Sequence, residues 1–319
     1  MMSKVNVFWF RRDLRLQDNV GLYKALHSKY PVLPIFIFDT EILESLPKKD
    51  ARLTFIFDTL QELRKELQKH GSSLAMYHGT PNEAFKEVLD KFEVQNVIAN
   101  HDYEPYATNR DAEISELLKE NDIQFFSFKD QVIFEKDEVV KADGDPYVVY
   151  TPYMKKWKER FKNNYKLKDY NIKKCLDNFI QHSRLPNLDL SDLGFERSEI
   201  EVPAYNVDLD LIQNYEATRN FPAKDGTSHL GPHLRFGTVS VRKMVEKATR
   251  TKNEVFWQEL IWREFFMQVL WHFPETHKNA FKSKYDRIEW RNNEEEFEKW
   301  KNGETGFPLV DAGMRQLNE

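Results

Sequence analysis

Residues 5–19 read VNVFWFRRDLRLQDN. Five apolar residues in the first six are too continuous for a strand with one wet face and too few for a helix. They predict a strand covered on both faces, as in a parallel sheet. Three arginines and two aspartates follow within nine residues. That charge turns the chain at the strand's carboxyl end, ahead of a helix capped by Asp18 or Asn19. No G-x-G-x-x-G follows the strand and no G-x-x-x-x-G-K-S/T occurs anywhere, so neither a dinucleotide dehydrogenase nor a P-loop enzyme is expected.

The same pattern recurs outward. VLPIFIF (32–38), SLAMY (73–77), VQNVIA (94–99) and IQFFSF (123–128) are further apolar runs, separated by helical patterns at about 19–29, 50–69, 81–92 and 107–121. Strand and helix in alternation predict a doubly wound, Rossmann-like parallel sheet over residues 1–130. Ligands of such sheets bind beyond the strand ends, here the loops after Phe10, Phe38 and Asn100. Periodicity weakens over 131–204, read as an interdomain connector, and is helical almost throughout 205–319. The fold class is α/β followed by all-α.

The 319 residues suffice for about two domains. No apolar run approaches the length of a membrane span, and MMSKVNVFWFRRDLRL is not a signal peptide. The single cysteine, Cys175, forms no internal disulfide and no cysteine-based zinc site, which fits a reducing, cytoplasmic location. The histidines have no metal-ligand spacing, so no metal is expected. Net charge is −5, yet Arg219 to Arg263 carries nine basic against four acidic residues. Charge alone reads as a solvated helix face.

Chemistry is concentrated in three stretches. In EVFWQELIWREFFMQVLW (254–271), Glu259, Trp262 and Phe266 share a helix face with Arg263 beside them. A carboxyl next to an indole on so apolar a helix is a candidate desolvated acid, and a Glu259–Arg263 pair at i, i+4 is the equal alternative. In DGTSHLGPHLRFG (225–237), hydroxyls and glycines precede a helix start, where phosphate oxygens bind and where a plain turn and cap are the commoner outcome. In WKNGETGFPLVDAGMRQL (300–317), a Gly-Phe-Pro turn opens a helix without a stop signal.

Taken together, FWFRRDLRLQDN (8–19), DGDPYVVYTPYMKKW (143–157), YEATRNFPAKDGTSHLGPHLRFGTVS (215–240), ELIWREFF (259–266) and KWKNGETGFPLVDAGMRQL (299–317) resemble the photolyase/cryptochrome family, most closely its class I cyclobutane pyrimidine dimer photolyases. The resemblance implies an N-terminal α/β domain able to hold an antenna chromophore and a helical domain that binds FAD. It implies FAD contacts by Tyr215, Thr227, Ser228, His229, Leu230, Gly231, Phe256 and Arg263. Glu259 and Trp262 match the catalytic, lesion-contacting pair. Arg219, with Arg263 and Phe266, matches DNA-contacting positions, and Trp300 matches the outermost member of a tryptophan electron-transfer chain.

The implied activity is light-driven repair of cyclobutane pyrimidine dimers in UV-damaged DNA by a monomeric, non-membrane deoxyribodipyrimidine photo-lyase. Ala107 stands where folate-antenna members carry Glu, which disfavours methenyltetrahydrofolate and leaves the antenna's identity open. Family segments with further FAD and DNA contacts lie beyond Glu319, so a C-terminally truncated chain is expected, either a piece of a longer protein or a remnant that does not repair DNA. The rivals are a cryptochrome-like photoreceptor without repair and a non-catalytic nucleotide- or partner-binding α/β module. Repair of (6-4) photoproducts is less favoured, because that group resembles Gln at position 259.

Overall fold

A computed structural model describes residues 4–182 and 184–318. Five strands, β1 (Lys4–Phe10), β2 (Val32–Asp39), β3 (Ala75–Gly79), β4 (Glu93–Asn100) and β5 (Gln124–Phe128), form a sheet of order β3-β2-β1-β4-β5. Every pairing is parallel. The crossovers carry α1 (Val20–Leu26), α2 (Thr40–Leu43), α3 (Ala51–Gln68), α4 (Pro81–Lys91) and α5 (Pro105–Glu120).

The alternation of side chains along β1 explains its unbroken apolar run. Phe8 and Phe10 join Leu22, Leu26, Leu53, Phe57 and Leu60 on the α1/α3 face. Val5, Val7 and Trp9 join Phe85, Val88, Ile114 and Leu118 on the α4/α5 face. Each such side chain contributes about 1.5–3 kcal/mol by leaving water, so neither face of β1 tolerates a polar residue without a partner. Asn6 is the exception, and its amide bonds Ser28 and Asn96.

The charged turn after β1 is an anchor. Asn19, not Asp18, caps α1 by accepting from the Leu22 N–H. Asp18 takes a left-handed backbone (φ 50°) and turns its carboxylate to Ser240, to Arg242 Nε at 3.0 Å and to the Tyr170 N–H at 3.1 Å. Arg15 and Arg242 both donate to buried Asp130. Burial alone would raise the Asp130 carboxyl, but these two guanidinium charges hold it below its ordinary range. The turn therefore ties the sheet to elements more than one hundred residues away.

Within the weakly periodic stretch lies a fifteen-residue helix, α6 (Tyr150–Asn164). Its polar composition masks the pattern, yet Tyr153 and Trp157 are fully buried and Phe161 stacks on Trp157 at 5.1 Å. The chain then runs back along the sheet, where Arg64 donates to the Leu185 carbonyl at 2.8 Å and Arg197 forks onto Asp58.

Four helices follow: α7 (Leu209–Thr218), α8 (Leu230–Phe236), α9 (Val241–Ala248) and α10 (Val255–His272). They share a core with α6 and residues 133–139. Gly237 (φ +66°) ends α8 against the charged turn, where a Cβ would stand 2.2 Å from the Arg12 carbonyl oxygen. Only glycine allows that approach. Contact density divides the chain into Met1–Pro274 and Glu275–Glu319. The second unit carries α11 (Glu294–Lys301) and α12 (Pro308–Asn318), and Asp311 holds the turn before α12 by accepting from Thr305 and Gly306 N–H groups. No helix among the described residues is long and apolar enough to cross a membrane.

Candidate functional site

Helix α10 buries a ridge of Phe256, Trp257, Leu260, Ile261, Glu264, Phe265 and Gln268. Glu259 and Trp262 flank that ridge on the half-exposed side. Arg219 follows the last residue of α7 and donates its guanidinium to the Glu259 carboxylate. The same guanidinium lies 5.7 Å from the Tyr215 ring, and Tyr215 meets Phe256 edge to face at 5.2 Å. Tyr215, Arg219, Phe256 and Glu259 thus form one group, although up to 44 residues separate them.

The desolvated acid of α10 is Glu264, not Glu259. The Glu259 side chain keeps 38% of its surface and has a cation beside it. Glu264, 2% exposed, is pushed up to about 7 by burial, against the N–H groups of Ile133 and Phe134, the Trp157 indole and the nearby Arg263 charge. Its role is to tie α10 to residues 133–134 at 2.6 and 3.0 Å and to α6 through Trp157. The i, i+4 pair of Glu259 with Arg263 does not form. Arg263 instead donates to the carbonyls of Gln131 (2.8 Å) and Leu234 (3.2 Å), so the structure turns it away from Glu259.

Trp262 carries a partner that sequence reasoning missed. The Tyr150 ring lies flat on its indole, 3.5 Å away and 9° from parallel, and the Tyr150 hydroxyl donates to the Gln258 carbonyl. Phe266 adds a second ring at 5.5 Å and is 61% exposed. These rings form an aromatic shelf next to Glu259. The spacing of Tyr150, Tyr153 and Trp157 was the available signal, since it places Tyr150 on the edge of α6's buried face.

Ahead of α8 the chain folds back on α7. Gly226 is buried against Thr218, and a Cβ there would stand 2.5 Å from the Thr218 Cβ. His229 (φ 51°) begins the helix in left-handed conformation and supplies no side-chain cap. The caps of α1, α3, α4, α7 and α9 each accept an N–H. The first N–H groups of α8 thus lack an internal acceptor, and the hydroxyls of Thr227 and Ser228 have no partner among the described residues. The donors of this turn fit phosphate oxygens of a dinucleotide. Gly231 offers no hydroxyl, and a Cβ there would meet nothing within 4 Å.

The positive balance of this region is largely absorbed by the fold. Arg242 is buried on Asp18 and Asp130, Arg235 pairs with Glu104, Lys243 with Asp169 and Glu246, and Arg250 with Glu246. Trp300 lies in the second unit, 43% exposed, stacked on Phe297 at 5.7 Å.

A separate cavity of about 340 Å³ opens beyond the ends of β1, β2 and β4. Phe38, Ile42, Ala107 and Phe236 give it apolar walls, and Arg12, Asp39, Tyr106 and Arg110 its polar edge. Tyr106 donates to Asp39, Arg12 pairs with Asp102 and Glu104, and the Arg110 guanidinium lies 4.8 Å from the Trp9 ring. Its place at the reversal of strand order is the one foreseen for a ligand of this sheet.

Family models match twice: DNA photolyase over residues 6–171 and the FAD-binding domain of DNA photolyase over residues 256–319. The chain is 35% identical to the deoxyribodipyrimidine photo-lyase of Halobacterium salinarum, over 98% of its own length and 71% of the relative's. Among solved structures it is similar to a class III photolyase of Agrobacterium tumefaciens (27% identity, TM-score 0.82), covering 99% of this chain and 69% of that one. It is also similar to an archaeal photolyase of Sulfolobus tokodaii described with two FAD molecules (30% identity, TM-score 0.79), covering 99% and 70%.

Proposed function

The chain belongs to the DNA photolyase family, and from that premise we propose that it binds UV-damaged DNA and carries out light-driven splitting of cyclobutane pyrimidine dimers. The observation that carries the reading is the grouping around α10 of Glu259 with Arg219, of the Trp262 shelf, and of Phe256 with Tyr215.

Thr227 and Ser228 would hold the phosphates of FAD, with Tyr215 and Phe256 against its rings. Reduced FAD, when bound and illuminated, supplies the electron that opens the cyclobutane ring. The chain's own residues do the rest. The Trp262 shelf packs the flipped pyrimidines, as aromatic rings do for unstacked bases. Glu259 places a carboxyl beside them, which in its protonated form donates a hydrogen bond to a pyrimidine carbonyl as charge develops there. The cavity beyond β1, β2 and β4 suits a flat antenna chromophore, and the apolar Ala107 on its wall favours one other than methenyltetrahydrofolate.

The test is illumination of the purified, FAD-loaded chain with a dimer-containing oligonucleotide, scored by chromatographic loss of the dimer. Glu259→Ala is expected to lower repair per absorbed photon more than it lowers DNA affinity. Equal yields from parent and variant would remove Glu259 from the chemistry. Light-driven flavin reduction with no loss of dimer would favour a photoreceptor.

A further inference from the structure

The two residues assigned to different parts of the DNA are bound to each other. Arg219, matched to a backbone-phosphate contact, donates to Glu259, matched to the lesion contact. While the pair is closed, Arg219 Nη1 and Glu259 Oε1 are engaged with each other rather than with DNA.

We propose that Arg219 and Glu259 form a latch opened by the DNA backbone, in which a phosphate displaces the carboxylate from Arg219 and frees Glu259 for the flipped base. The inference rests on the DNA reading above. Three features support an exchange rather than a permanent structural pair. Both side chains reach solvent, 31% and 38% exposed, so a phosphate has access. Half-exposed ion pairs contribute little, typically under about 1 kcal/mol, so opening costs little. A phosphate oxygen replaces the carboxylate oxygen as a charge-assisted acceptor for the guanidinium, so no donor is left bare.

The buried pairs differ in kind. Arg242 with Asp18 and Asp130 is enclosed and cannot exchange partners with a ligand. Arg219 is placed to change hands because its pair is half-exposed and its acceptor is Glu259 itself. Its position over the Tyr215 ring keeps it oriented when the carboxylate leaves. Withdrawal of the guanidinium also leaves the Glu259 side chain without its partner, so seating the backbone and freeing Glu259 for the base are one event.

The latch makes an unusual prediction: removing a negative charge from the lesion residue should strengthen backbone binding, and only while Arg219 is present. Fluorescence anisotropy with a labelled undamaged oligonucleotide, over a range of salt, is measured for the parent, Glu259→Gln, Arg219→Ala and the double variant, each checked for its unfolding temperature. Glu259→Gln is expected to bind about twofold to fivefold tighter, the loss of one competing ion pair. Arg219→Ala binds more weakly with a salt slope lower by about one phosphate contact, and Glu259→Gln adds nothing in that background. Affinity unchanged by Glu259→Gln, with Arg219→Ala still weakened, overturns the latch and leaves the DNA reading standing. A gain of the same size with and without Arg219 assigns the effect to general charge and also overturns the latch. Failure of the parent to bind DNA overturns the DNA reading and the latch together.

Discussion

The Tyr150 ring lies flat on the Trp262 indole, 3.5 Å away and 9° from parallel, across a gap of more than one hundred residues. One face of the indole is therefore already occupied, so a flipped base meets an indole whose tilt the chain has set. Burial, with the Glu259 charge nearby, keeps the Tyr150 phenol protonated well above its ordinary range, so its hydroxyl stays a donor to Gln258.

Two substitutions separate the ring from the hydroxyl. Tyr150→Ala removes the stack and should weaken binding of a dimer-containing oligonucleotide about threefold to tenfold, the value of an aromatic pair. Tyr150→Phe keeps the stack, loses the 2.8 Å bond to the Gln258 carbonyl and should cost only about 0.5–1.5 kcal/mol of stability. Binding titrations paired with urea unfolding check both, and equal affinities for the two variants would deny the ring a role.

The buried Glu264 makes stability depend on pH in a definite direction. Its folded value, about 7, lies above its ordinary 4.5, so the native state holds its proton more tightly than the unfolded chain. That contribution is complete below about pH 4.5 and declines as pH rises to about 7. Glu264→Gln cannot titrate. Urea unfolding near pH 5 and near pH 8 should show the parent losing about 3 kcal/mol relative to this variant, at 1.36 kcal/mol per unit.

Asp130 sits between two buried guanidinium groups, Arg15 and Arg242. Asp130→Ala leaves both without their carboxylate and should destabilise the chain by about 3–5 kcal/mol. The lowered carboxyl gives acid sensitivity of the opposite sign to Glu264: its contribution is present above the unfolded value near 3.8 and is lost as pH falls below it. Urea unfolding at neutral pH measures the loss, and a change under about 1 kcal/mol would mean that the guanidinium groups have found water.

The uncapped start of α8 predicts flavin retention. The double variant Thr227→Ala, Ser228→Ala should retain FAD about threefold to tenfold more weakly after gel filtration, read from flavin absorbance per chain, with unchanged unfolding of the flavin-free protein. Unchanged retention would place the phosphates elsewhere.

The strands, four of the crossover helices and α10 were legible in the chain itself. Burial on both faces of a parallel sheet demands uninterrupted apolar runs, and VNVFWF is such a run whatever surrounds it. The chemical residues Glu259 and Trp262 were legible as neighbours, because helical spacing is a local property. The helix α6 was hidden because eight of its fourteen side chains described for burial are exposed and read as a polar connector.

Partners were decided by tertiary structure alone. The cluster RRDLRL specifies charge but not where it goes: Arg11 finds Asp111, Arg12 finds Asp102 and Glu104, and Arg15 finds Asp130. The local excess of positive charge from Arg219 to Arg263 is likewise taken up largely in pairs with distant carboxylates, Arg219 with Glu259, Arg235 with Glu104 and Arg242 with Asp18. Helical spacing offered Arg263 to Glu259, and Arg219 took its place, forty residues away in the chain. An ion pair depends on distance and dielectric, and neither exists until distant segments pack. Burial periodicity is written along the chain, whereas the pairing of charges and the stacking of Tyr150 on Trp262 are properties of the packed molecule.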